Sequence, residues 1–260
     1  MSRTEDPTAW VAALRDSYER LAGAAGGLGA EELRGPSYDA EWTVAQVLSH
    51  LGSGAEIFGL VLDAALTGQD PPGRESLQAI WDTWNAKDAE AQRSDWRGAD
   101  AGFVGRIELL GEDRLGALRL SFAGRELDAT GLLRMRLFEH VLHTWDVAVT
   151  SDPSLPLAAG PVGLLVDSLG EVAARAGKGG RAQLAVLIRT TEPDRHLTLD
   201  VGETVRLAPA GGDSGEAELR LPSEALIRLV YGRLDPLHCP AGVAATGVDL
   251  DVLRAVFPGL

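Results

Sequence analysis

The chain has 260 residues, 45% hydrophobic and 24% charged, a composition that suits a globular fold able to bury its core without disulfide staples. Its 24 basic residues against 38 acidic ones leave a net charge of −14, which disfavours a nucleic-acid backbone and an anionic membrane surface as partners. The single cysteine, Cys239, permits neither an internal disulfide nor a thiolate metal cluster.

The opening stretch, Met1 to Pro7, is polar and leads into no apolar segment, so no secretory leader is expected. No uninterrupted apolar run reaches the ~18 residues of a membrane span, and the expected compartment is the cytoplasm. From Thr8 to Leu28, Trp10, Val11, Leu14, Tyr18 and Leu21 recur with helical period, and glycines close the segment. Thr43 is the expected N-cap of a second helix reaching about Thr67, with Val44, Val47, Leu48, Leu51, Ala55, Phe58 and Leu62 on it. A third helix is expected from about Glu75 to Arg93, a mostly helical segment from Val104 to Leu120, and a last long helix from about Gly131 to Val149.

The run from Thr150 to Pro156 reads as a linker. Beyond it, a helix is expected over Pro161 to Ala176. Four alternating runs then read as strands: Gln183 to Arg189, His196 to Asp200, Glu203 to Ala208 and Glu216 to Leu221. The break from Pro209 to Gly215 reads as a hairpin loop. Ser223 is expected to cap a helix to about Gly232, and a short helix ends the chain over Leu250 to Phe257. The expected architecture is α+β in two domains: a helical bundle over residues 1–151, then a small α+β domain with a mostly antiparallel sheet over residues 152–260.

Three of the five histidines fall on two helices of the first domain. On the last long helix, Glu139 and His143 are four apart and share a face, with Arg136 and Asp146 on that face too. The rest of that helix is apolar nearly all round, which marks it as buried. Buried ionisable groups must pair or bind a metal. His50 lies on an apolar helix face and is expected to point inward. A bundle brings side chains from facing helices to one interior site. Two imidazoles and a carboxylate form the ligand set of a catalytic zinc with an open fourth position. An E-x-x-x-H pair alone is a weak signal, since many helices carry one as a solvated or salt-bridged face. His140 is turned about 100° from Glu139 and is assigned to packing or surface, His196 to the surface, and His238 with Cys239 to loop packing. Trp81, Trp84 and Trp145 read mainly as bundle core.

The stretches Glu41-Trp-Thr-Val-Ala-Gln-Val-Leu-Ser-His50-Leu and Arg136-Leu-Phe-Glu139-His-Val-Leu-His143-Thr-Trp-Asp146 resemble the mycothiol-dependent maleylpyruvate isomerase family, which belongs to the DinB-like four-helix bundles. Trp84-Asn85-Ala-Lys87, Leu229-Val-Tyr-Gly-Arg233, Thr246-Gly247 and Phe257-Pro-Gly259 share the resemblance, which runs over essentially the whole chain. It implies a zinc, or another divalent metal, held by His50, Glu139 and His143, with mycothiol as thiol cosubstrate. It further implies that the second domain is sterol-carrier-like and closes over the thiol, and that Arg233 handles substrate carboxylates. Asn85, a polar residue within the shared stretch, is a candidate cofactor contact, with a helix-surface amide as the alternative.

Three readings follow. In the first, a metal-activated thiol adds to an electrophilic small molecule, by S-transfer or by cis–trans isomerisation, with Arg233 and Asp146 in the catalytic machinery and Asp146 either orienting His143 or pairing with Arg136. In the second, the same site activates water in a hydrolase with Asp146 as general base. In the third, the protein is a binding module whose metal is closed by a fourth ligand, His140 or Asp146. A monomer or homodimer is expected, with no nucleic-acid or membrane partner.

Overall fold

Helix caps set the architecture of this computed structural model, which describes residues 6–39, 41–181, 183–212 and 216–259. The leader reading on Met1 to Pro7 and the hairpin loop at residues 213–215 therefore fall partly outside the described residues. The chain separates into two compact units, Met1–Asp152 and Pro153–Leu260.

In the first unit, Asp6 caps α1 (Pro7–Gly26), and the five-residue α2 (Ala30–Arg34) follows. The side chain of Thr43 accepts a hydrogen bond from Gln46 N, and the Gln46 side-chain oxygen accepts one from the Thr43 backbone N–H, so a capping box starts α3 (Val44–Thr67) where the sequence placed it. Gly68, at φ 68°, ends α3 in the left-handed conformation that suits glycine. The helix is long and apolar enough to cross a membrane by length and composition, yet 72% of its apolar window is buried inside the structure.

The single helix expected over Glu75 to Arg93 is two helices. α4 (Arg74–Asn85) stops, and Asp88 accepts a hydrogen bond from Ala91 N to cap α5 (Ala89–Ala117). Gly111, at φ 69°, kinks α5. The end of the helical stretch expected to reach Leu120 is instead a strand: β1 (Arg119–Phe122) pairs antiparallel with β2 (Arg125–Asp128). Asp128 then caps α6 (Ala129–Ala148). Helices α1, α3, α5 and α6 pack as a bundle, with α3 against α5 and α6, and α1 against α5 and α6.

The second unit opens with two helices, α7 (Ala159–Val166) and α8 (Leu169–Ala176), where one was expected. Strands β3 (Leu184–Thr191), β4 (Arg195–Val201), β5 (Val205–Pro209), β6 (Ala217–Pro222) and β7 (Ala244–Thr246) form a sheet in the order β5-β4-β3-β6-β7. Every pair is antiparallel except β3 with β6, so the fold is the expected α+β with a mostly antiparallel sheet. Val186, Ile188, Leu199, Leu207 and Leu219 point to the buried face, while Arg206 and Arg220 alternate outward. Helix α9 (Ser223–Val230) lacks the Ser223 cap: the Ser223 hydroxyl oxygen lies 2.8 Å from both Thr190 Oγ1 and the Pro193 carbonyl oxygen instead, tying α9 to β3. A 3-10 turn (Pro236–His238) and α10 (Leu250–Val256) complete the unit.

Candidate metal centre

His50 comes from the second turn of α3 and Glu139 and His143 from successive turns of α6, so the packing of α3 on α6 brings the three together. His50 Nε2 lies 2.8 Å from Glu139 Oε2, and His143 Nε2 lies 3.5 Å from the same oxygen. One ligand atom from each of the three residues fits within 4.8 Å of the others. His143 is the most enclosed of the trio. His50 and Glu139 side chains are 36% and 43% exposed, so the trio is open on one side and His50 does not point into a sealed core.

Asp146 lies behind the trio. Its Oδ2 sits 2.8 Å from His143 Nδ1, and its side chain is 1% exposed. Two partners were expected for Asp146: it is bonded to His143, while Arg136 bonds Asp100. Burial alone would disfavour a charged His143, but the hydrogen bonds and negative charge of Asp146 and Glu139 outweigh it and raise its pKa. For Glu139, burial pushes the carboxyl up. Hydrogen bonds from His143 and His50, with their charge, more than offset this and hold it well below the usual carboxylate range.

Arg136 shares the helix face but has a different partner. Its guanidinium donates to Asp100 Oδ1 at 2.5 Å and to the Leu51 carbonyl at 2.8 Å, with both charged side chains buried. His140 is also buried. Its Nε2 bonds Asp100 Oδ2 at 2.7 Å, and Ser17 Oγ lies 3.0 Å from its Nδ1. This network joins α1, α3, α5 and α6 beside the trio. Asp100 and Ser17 carry no local motif, so the sequence offered no signal for their part in it.

Trp42 was also missed. Its ring centroid is 5.2 Å from that of His50 and 6.1 Å from that of His143. It lies just before the Thr43 cap, outside α3, so helical spacing does not place it. Trp84 and Trp145 are core residues, whereas Trp81 is 38% exposed. Asn85 is the exposed last residue of α4. Arg233 belongs to the second unit, where its Nη1 donates to the Tyr231 carbonyl and its backbone N–H to the Arg228 carbonyl. His196 is at the surface, and His238 Nδ1 bonds Asp235 in its own turn.

The donor chemistry fits a divalent cation. Two imidazole nitrogens and a carboxylate oxygen converge, and the far nitrogen of one imidazole is held by a carboxylate, as is usual around bound metals. Fold and residues thus define a helical bundle with a candidate metal centre, followed by an α+β unit. The model of the mycothiol maleylpyruvate isomerase N-terminal domain matches residues 3–148, and the chain belongs to that family. Its fold is similar to the crystal structure of the mycothiol-dependent maleylpyruvate isomerase, with a TM-score of 0.67 at 15% identity, over 94% of this chain and 95% of that one. A mutant of that enzyme matches at the same TM-score and coverage with 16% identity. Likeness at this level of identity concerns the fold. A curated protein of Geobacillus thermodenitrificans (strain NG80-2), named "Putative metal-dependent hydrolase", is 36% identical over 90 residues, 35% of this chain and 48% of that protein.

Proposed function

We propose that this chain is a metal-dependent, thiol-using enzyme. His50, Glu139 and His143 hold a divalent cation, zinc in the first instance. Mycothiol supplies the nucleophile that attacks an electrophilic small molecule, either by S-transfer or by cis–trans isomerisation of the maleylpyruvate type. The observation that carries this reading is the convergence of three ligand atoms within 4.8 Å, with the far nitrogen of His143 engaged by Asp146. Family membership supports the thiol.

A cation in the trio would favour the deprotonated thiol in its open position and so make a nucleophile available at neutral pH. The residues have distinct tasks. His50 and His143 each offer a ring nitrogen, and Asp146 is a positioning residue that decides which nitrogen of His143 faces Glu139. Glu139 contributes one negative charge, which against a doubly charged cation leaves an excess that favours an anionic fourth partner. In the isomerisation, the thiol sulfur adds to one carbon of an activated double bond. The resulting single bond rotates, and loss of the same sulfur restores the double bond in the trans form, so nothing is consumed. Arg233 is proposed to grip a substrate carboxylate through its planar fork, and Asn85 to contact the thiol. Arg233→Lys and Asn85→Ala variants test these two roles through KM and thiol affinity.

The relative's name favours a second reading, a hydrolase acting through activated water. Its general base is the difficulty, because Asp146 is almost fully buried and committed to His143. The binding-module reading expected His140 or Asp146 to close the metal shell. His140 bonds Asp100, and Asp146 bonds the far side of His143, which supports an open site.

Isothermal titration of mycothiol into zinc-loaded protein tests the proposal. Saturable binding that disappears in Glu139→Ala is expected. A zinc-loaded protein that ignores mycothiol but cleaves activated esters would transfer the assignment to the hydrolase.

A further inference from the structure

We infer that Trp42 is a positioning residue of the candidate metal centre, an indole wall that fixes the ring planes of both ligand histidines. The inference rests on the metal reading proposed above. Three rings form a closed set. Trp42 lies within 16° of parallel to His143 and tilted by 57° to His50, and the two imidazoles meet edge-on with centroids 4.9 Å apart.

The two histidines are not supported alike. His143 has Asp146 on its far nitrogen. Among the described residues, His50 has only the Glu139 hydrogen bond on its ring. It therefore has no hydrogen-bonded orienter of the kind that usually fixes a ligand imidazole. The indole face of Trp42 supplies that restraint by ring contact.

The wall itself is held firmly. The Trp42 backbone N–H donates to the Asp39 carbonyl, and the Trp42 carbonyl accepts from Ser37 N. Pro36 bridges Thr43, the α3 cap, in antiparallel fashion. Tyr38 N donates to the backbone carbonyl of Asp146 at 3.0 Å, and the Tyr38 ring packs 4.8 Å from that of Trp145. The half-buried indole packs against the bundle core. The loop is thus fastened to α6 at the same residue that orients His143, so one short stretch of chain sets both imidazoles.

Cobalt(II) titration of the full chain, read by visible absorption and by competition with a chromophoric chelator, tests this in wild type, Trp42→Ala and Trp42→Phe. Thermal melting of each metal-free protein is measured alongside. Trp42→Ala is expected to lose about 10–100-fold in cobalt affinity, the range for losing a supporting partner of a ligand histidine, and to change the cobalt spectrum. Trp42→Phe, which keeps a flat ring, is expected to stay close to wild type in both. A Trp42→Ala protein with wild-type affinity and spectrum would overturn the inference. Equal losses in both variants that track lower melting temperatures would overturn it too, since a loosened loop would then be the cause. A wild type that takes up no cobalt would instead overturn the underlying metal reading, a result distinct from either.

Discussion

Asp146 and His143 are joined through Oδ2 and Nδ1 at 2.8 Å, three residues apart on one helix. The bond leaves the other ring nitrogen of His143 facing Glu139. Replacing Asp146 by asparagine keeps the shape of the side chain but removes the charge and allows the amide to present its NH2 to the imidazole. The expected outcome is a 10–100-fold loss of cation affinity with a nearly unchanged helical content. Competition against a chromophoric chelator measures it, and an affinity equal to wild type would remove Asp146 from the site.

Arg136 acts on the scaffold beside the trio. It bonds Asp100 on α5 and the Leu51 carbonyl on α3, next to His50. Burial makes both charges dependent on each other. An Arg136→Met variant leaves Asp100 buried without its cation and is expected to lose about 3–5 kcal/mol in denaturant titration. A loss below about 1 kcal/mol would mean that Asp100 is adequately held by His140 and Trp96, which also bond it.

The same aspartate sets a pH dependence. Burial pushes the Asp100 carboxyl up, but the charges and hydrogen bonds of Arg136 and His140 outweigh it and hold the group far below the ordinary carboxylate range. A pKa depressed on folding contributes stability above the unfolded value of about 3.9, and this contribution fades as the pH falls toward the folded value. Stability is therefore expected to drop as the pH falls below about 4. In Asp100→Asn the acid limb becomes shallower and stability at neutral pH is lower. Denaturation midpoints between pH 3 and 7 decide it: parallel curves for the two proteins would contradict this account.

Two glycines give opposite expectations. A Cβ on Gly52 would lie 2.3 Å from ring atoms of buried Trp84. Trp84 is further held by a hydrogen bond to Glu56 and by Lys87 3.5 Å from its ring centroid. Gly52→Ala is expected to cost about 1–3 kcal/mol through overpacking. Gly23, inside α1, has open space around the same position. Gly23→Ala is expected to stabilise by about 0.5–1 kcal/mol through helix propensity. Denaturant curves with tryptophan emission as readout compare them, and a neutral Gly52→Ala would show that Trp84 can move.

The elements legible in the sequence were those with local signals. The Thr43 cap and apolar repeat set α3, the apolar stretch with Glu139 and His143 marked α6, and period-two alternation marked β3 to β6. The spacing of Glu139 and His143 put them on one face, and the structure sets His50 against them. Signals that act at a distance were not legible. The break between α4 and α5 depends on Asp88 serving as a cap, and a continuous helix fits the same pattern. The β1–β2 hairpin is too short to show a period. Ser223 has the type of a capping residue, but tertiary packing turns its hydroxyl toward β3. The buried links from Asp100 and Ser17 to His140 span 40 and 123 residues, which no local pattern encodes.

The most direct test of the metal-centred account is elemental analysis of the purified protein beside His50→Ala and Glu139→Ala, each after equilibration with zinc and removal of excess. About one zinc per wild-type chain is expected and almost none in either variant, with all three proteins folded by circular dichroism. A wild type that retains no zinc, or variants that keep as much as wild type, would contradict it.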